Sequence, residues 1–180
     1  KLLAGIVRLA RDTDPKRRIL LSERGNFPTD LYMAQGLRNL AGDLELKLVD
    51  DGALFSALDA SVAVVLVTQV DYRTGRIQDM ESLNKAARNA GARVLWDLSH
   101  SAGALPVHLN ASGAEFAVGC GYKYLNGGPG APAYLYVRKD LQAQIQSPLA
   151  GWFGHAAPFA FDTEYRPAPG IERMQCGTPS

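Results

Sequence analysis

The order of segments predicts an α/β fold, a mainly parallel sheet with helices on both faces. Strand-like runs rich in β-branched residues alternate with stretches of helical period, the pattern of β–α–β units joined by right-handed crossovers. The run Val62–Val67 is apolar at every position, as a central parallel strand covered on both sides must be. Polar residues gather at the predicted strand ends, where ligands collect in such sheets.

Each element follows from its residues. Leu2–Arg11 reads as a helix and Arg18–Ser22 as a strand. Thr29–Leu40 reads as a helix opened by Pro28 and Thr29, with Asp30 in the first turn, where a negative charge is favoured. Leu44–Val49 is a second strand and Ala53–Leu58 a short helix. Val62–Val67 follows, then a turn over Tyr72–Arg76 containing Thr74-Gly75. Met80–Asn89 carries Met80, Leu83, Ala86 and Ala87 at helical spacing, and Gly91 stands where a C-terminal cap belongs. Arg93–Asp97 is another buried strand, and the run EFAVGCGYK is a strand that delivers Lys123 into the loop NGGPG. Ala133–Val137 is a strand that can reverse direction, Leu141–Gln146 a short helix, and Ser147–Ser180 irregular, rich in Pro, Gly and aromatics.

Bulk properties exclude several classes. The 180 residues can bury a real core, and 47% hydrophobic with 21% charged residues is ordinary for a globular domain. A net charge of +1, from 19 basic and 18 acidic residues, gives no footing for nucleic acid or a membrane surface. The cluster Lys16–Arg18 reads as a solvated approach to a strand. Val62–Val67, the longest apolar run, is too short to span a bilayer, and no charged-then-apolar leader opens the chain. Cys120 and Cys176 make neither a disulfide framework nor a metal-ligand pattern, so reduced thiols, no bound metal and a cytoplasmic location are expected.

The chemistry concentrates at Val94–Asn126. Asp97 ends an apolar strand, His100 follows three residues later, and Lys123 ends the neighbouring strand. An acid and a lysine so placed are what a pyridoxal phosphate (PLP) enzyme requires: the lysine holds the coenzyme as a Schiff base, and the acid keeps the ring nitrogen protonated. Each residue also has a plain alternative. Asp97 can cap the next turn, Lys123 can be solvated, His100 can brace its own loop and Phe27 can be core. As site residues, Phe27 would stack on the ring, Asp30 would contact the 3′-oxygen region, and Thr68 would donate to the phosphate. Tyr122, beside Lys123, Trp152 in GWFGH and Thr178 in CGT are further donors able to reach an anion. No G-x-G-x-x-G opens a helix after the first strands, which argues against a nucleotide-binding domain.

The segments WDLSHSAGALPV, GYKYLNGGPG, PLAGWFGH and CGTP, with NFPTD and VTQVDYRTG in the same order, resemble the kynureninase family, closest to its bacterial branch. The resemblance covers essentially the whole stretch. It implies the large-domain core of a homodimeric fold-type-I PLP enzyme that hydrolyses L-kynurenine to anthranilate and L-alanine in tryptophan catabolism, on the kynurenine pathway to NAD. It implies that Lys123 is the Schiff-base lysine, Asp97 the pyridinium partner and Tyr122 a phosphate contact able to relay a proton. It places Phe27, Asp30, Thr68 and His100 at the coenzyme, and Trp152 and Thr178 at the neighbouring subunit's coenzyme. The chain has no initiator Met and lacks the family's N-terminal phosphate-binding turn and later small domain, so residues 1–180 read as an excerpt of the PLP-binding large domain. Two rivals remain. Cysteine desulfurases, of the same fold type, usually carry a histidine before the lysine and a glutamine near the aspartate, where this chain has Tyr122 and Ser99-His100. A non-catalytic binding module of the same fold would have little reason to keep both Asp97 and Lys123.

Overall fold

Residues 1–178 are described by a computed structural model. In chain order the elements are α1 (Leu2–Thr13), β1 (Ile19–Glu23), α2 (Pro28–Ala41), β2 (Glu45–Val49), α3 (Leu54–Ala57), β3 (Val62–Thr68), α4 (Met80–Asn89), β4 (Arg93–Asp97), β5 (Phe116–Cys120) and β6 (Ala133–Val137). The six strands form one sheet in the order β2-β1-β3-β4-β5-β6, and β5–β6 is the antiparallel pair. The expected reversal at Ala133–Val137 is therefore present.

All seven residues of β3 are buried, as their uniform apolarity requires at the centre of a sheet covered on both faces. On one face Val64, Leu66, Leu95 and Phe116 pack under α1, which contributes Leu2, Leu3, Ile6 and Val7. On the other, Val65, Val67, Val94 and Trp96 pack under α4 through Met80, Leu83 and Ala87. Trp96 is fully buried, and its indole N–H is satisfied by Asn84 Oδ1 at 2.9 Å, so the largest core side chain is also fixed in orientation. The Asp79 side chain accepts the Ser82 N–H to cap α4 at its start, and Gly91 takes a φ of 74° at its end.

Two local expectations are corrected. The segment 141–146 is not a helix: a 3₁₀ turn covers Lys139–Leu141 and turns follow, with Leu141 and Ile145 both in the α1-side core. Lys16–Arg18 is not wholly solvated. Arg17 is buried, donating to the carbonyls of Val62 and Ala90 at 3.0 Å each, so it ties the end of α4 to the start of β3. The connection from β4 to β5, residues 98–115, carries no helix. It is fixed instead at its far end, where buried Glu115 pairs with Arg93 at 2.7 Å and Arg138 at 3.3 Å.

The chain moves from β1 outward to β2 and then back past β1 to β3, which makes the β1/β3 boundary the place where strand order reverses. The loops leaving β1, β3, β4 and β5 all emerge at the carboxyl edge, so this topology gathers Phe27, Thr68, Asp97 and Lys123 from distant parts of the sequence.

Candidate active site

Asp97 is the last residue of β4 and is paired in register with Thr68 on β3 and Val118 on β5. Its carboxylate is buried, with Oδ1 accepting the Ser99 N–H at 2.8 Å. The turn-capping role that its position allowed is thus real, and it leaves the same carboxylate facing a basin of about 510 Å³. Lys123 lines that basin too, together with Phe27, Asp30 and Tyr122. Lys123 Nζ sits 2.9 Å from His100 Nε2, 5.1 Å from the centre of the Phe27 ring and 5.6 Å from that of Tyr122. An amine over an aromatic face is held by the ring quadrupole.

The loop carrying Lys123 is closed by two backbone bonds, Asn126 N–H to Lys123 O and Gly127 N–H to Gly121 O, both 2.9 Å. It is braced from the β4 side by Gly103. This residue has a φ of 87°, and a Cβ there would stand 2.4 Å from the carbonyl oxygen of Tyr124. Neither the backbone angle nor the space admits a side chain. Gly103→Ala is expected to lower stability by about 1–3 kcal/mol, read as a reduced denaturation midpoint. An unchanged midpoint would mean that the two loops are not in contact.

Two acids share one end of the basin. Burial, the Asp97 charge and a hydrogen bond shared with Asp97 push the Asp30 carboxyl up to about 7, with the Lys123 amine pulling the other way. One Asp30 oxygen is buried without a partner. Asp30 therefore stands beside Asp97 in the basin. Such a pair sets a pH dependence. Below the ordinary value of 3.8 Asp30 is protonated whether folded or not, and this group imposes no penalty. Between there and about 7 the unfolded chain ionises first, so stability falls as pH rises, and above 7 the whole penalty is present. Asp30→Asn is expected to raise the denaturation midpoint of the coenzyme-free protein at pH 8, by about 1–3 kcal/mol, and to leave it unchanged at pH 3.5. Equal midpoints at pH 8 would disprove the shared proton.

His100 is pushed below its usual range, mainly by burial and next by the Lys123 charge, so it is a neutral acceptor at physiological pH. Its Nδ1 is buried and unpartnered. Two residues named from the sequence do not line the Lys123 basin. Thr68 is buried, but its hydroxyl is donated to Asn26 Oδ1, in a small crevice beside Glu23, Asp71 and Arg76. Trp152 lines a separate hollow of about 370 Å³ with His155, Phe161 and Tyr165, its ring packed on Phe153, Phe159 and Phe161. Thr178 is exposed and does not line the Lys123 basin. Sequence reasoning missed Asn26, whose amide bonds Ser22 Oγ and Leu66 O and so locks the start of α2 to β1 and β3. It also missed Tyr134, which lines the basin with a buried, unpartnered hydroxyl, raised by burial and then by Asp97. The available signal was Gly119, which faces Tyr134 across the β5–β6 pair and has no room for a Cβ.

A parallel sheet whose strand ends turn an acid and a lysine toward one aromatic-sided basin defines an α/β coenzyme-binding domain. The family model described as aminotransferase class-V matches residues 36–180, and the chain belongs to that family. At closer range it is similar to kynureninase from Burkholderia mallei, 56% identical over 180 residues, covering 99% of this chain and 43% of that protein. It is also similar to kynureninase from Deinococcus radiodurans, 50% identical over 179 residues, covering 99% of this chain and 42% of that protein. The chain thus spans less than half the length of these relatives. Among solved structures, the apo cysteine desulfurase from Thermococcus onnurineus superposes with a TM-score of 0.73 at 25% identity, covering 98% of this chain and 45% of that one. A C-DES variant with glycine covalently linked to its PLP cofactor gives 0.75 at 19% identity, covering 98% and 56%, a likeness of fold. No helix among the described residues is long and apolar enough to cross a membrane.

Proposed function

We propose that this chain is the coenzyme-binding part of a PLP-dependent kynureninase, which hydrolyses L-kynurenine to anthranilate and L-alanine in tryptophan catabolism. The observation that carries the reading is the single basin shared by buried Asp97 and Lys123, in a chain 50–56% identical to kynureninases over nearly its whole length. The residues fit PLP. The buried acid suits a protonated ring nitrogen, the Phe27 face suits a flat heteroaromatic ring, and the amine suits an aldehyde. The unpartnered oxygen of Asp30 and Nδ1 of His100 are polar groups left for something the protein itself does not supply.

When bound, the coenzyme supplies an electron sink for the carbon–carbon cleavage. The chain's own residues do the rest. Asp97 would hold a proton on the ring nitrogen, and the Phe27 face would flank the ring. Lys123 would be the attachment point, and its free Nζ would serve as the base for the proton on the substrate's α-carbon. His100 Nε2 accepts one Lys123 N–H and so aims that amine. Tyr122 stands beside Lys123 as a phosphate contact and proton relay. Trp152 and Thr178 serve the coenzyme of a neighbouring subunit in a homodimer, a role consistent with the separation of Trp152 from its own chain's basin and with the exposed aromatic rings of Phe159 and Phe161. The enzyme works in the cytoplasm, on the kynurenine route to NAD.

A cysteine desulfurase reading shares the fold but not the residues: Tyr122 precedes the lysine where a histidine would be expected, and identity to the desulfurase is 25% against 56% for a kynureninase. The test is to load the full-length protein with PLP, add L-kynurenine and follow anthranilate fluorescence. Anthranilate formation with no sulfide release from L-cysteine is expected. Sulfide without anthranilate would overturn the assignment.

A further inference from the structure

Tyr72, in the turn after β3, has no role in the site described above. Its ring lies 6.1 Å from that of His100 with 30° between the planes, a stacked arrangement, and meets Phe27 edge-on at 5.1 Å. Phe27 and His100 are themselves 6.0 Å apart, so the three rings form one cluster. At the rim of that cluster His100 Nε2 meets Lys123 Nζ at 2.9 Å. The other imidazole nitrogen has no hydrogen-bond partner among the described residues, so apart from the bond to Lys123 itself no hydrogen bond from the protein fixes the ring's rotation. The imidazole torsion is intrinsically broad, and only packing can hold Nε2 toward the lysine. Tyr72 supplies one wall of that packing, and the Arg73 guanidinium lies 5.8 Å from the centre of the Tyr72 ring.

We infer that Tyr72 is a positioning residue for Lys123: by stacking on His100 it holds Nε2 as the acceptor that aims the lysine amine over the Phe27 face. The charged or titratable groups facing His100 are Lys123 from the loop after β5, Asp97 from the end of β4, and Asp71 from the turn that also carries Tyr72. Of these only Lys123, the group to be aimed, bonds the ring. The inference rests on the proposed role of Lys123, and its test is built to fail separately from that role.

The test compares Tyr72→Phe and Tyr72→Ala with the parent in the full-length protein. The first readout is the titration of His100 by NMR without coenzyme. The second is the rate at which the visible band of lysine-bound PLP grows on mixing. Tyr72→Phe keeps the wall, so both readouts should match the parent. In Tyr72→Ala water reaches the imidazole, and its midpoint should rise toward the ordinary value by about half a pH unit or more. Band growth should slow about fivefold or more, because the amine loses its aim, while the final band height is retained. A Tyr72→Ala protein with native circular dichroism, an unmoved His100 midpoint and an unchanged rate would overturn the inference, as would a Phe variant as impaired as the Ala variant. If the Ala variant does not fold, Tyr72→Leu replaces it with the same expectations. Failure of the Lys123 role would show differently, as a band that persists in Lys123→Ala, and the coenzyme-free titration would still decide the role of Tyr72.

Discussion

Lys123→Ala is expected to abolish both the visible absorption band of the PLP-loaded protein and anthranilate formation, with kcat reduced about 10³-fold or more. Two functions are lost in one change, the covalent attachment point and the base that moves the α-proton. The fold should not suffer. Lys123 is partly exposed, in a turn whose closure depends on backbone bonds, and the side chain's direct polar contact is with His100. Removing it should shift the denaturation midpoint by less than about 1 kcal/mol. Coenzyme should still bind without a covalent bond, since Asp97 and Phe27 remain, and should wash out on dialysis. A variant that keeps its band would place the attachment elsewhere and remove the central residue of the mechanism.

Asp97→Asn should be nearly as damaging to catalysis and for a different reason. An amide keeps an oxygen to accept the Ser99 N–H, so the turn after β4 survives. It cannot hold a proton on the ring nitrogen by charge, and the electron sink weakens. A fall of about 10²–10³-fold in kcat is expected, with a smaller change in KM, because the interaction matters most as negative charge develops. The variant has a second signature at Asp30. With the neighbouring charge gone, one of the causes that raise its carboxyl disappears, and its titration should move down from about 7. A kcat within tenfold of the parent would show that the Asp97 charge is not what the reaction uses.

Much of the fold was legible because its signals are local. The apolar run of β3, the helical spacing of α4 and Gly91 at its end each report on a few consecutive residues, and each element appears within a residue or two of its expected position. The failures were also physical. Leu141 and Ile145 have helical spacing and are both in the core under α1, but a 3₁₀ turn and further turns carry them there instead of a helix. Arg17 looked like a surface cation because nothing near it in sequence shows that the carbonyls of Val62 and Ala90 converge on it. At the site, Asp97, His100 and Lys123 were recognisable from spacing and strand ends. Thr68 was recognisable as a strand-end hydroxyl, but its partner, Asn26, is 42 residues earlier.

By itself the sequence determined the chemistry that is present, an acid and an amine at the ends of neighbouring parallel strands with an aromatic ring available to flank a flat coenzyme, because strand period and strand ends are written in consecutive residues. Only the tertiary structure decided which polar groups are spent and which are left. It joined Asp30 to Asp97, gave the Thr68 hydroxyl to Asn26, set Trp152 in a hollow of its own and brought Tyr72 against His100. Those pairings cross from one strand-end loop to another, and a hydrogen bond or a ring stack depends on distances of a few ångströms that the order of residues along a chain does not encode.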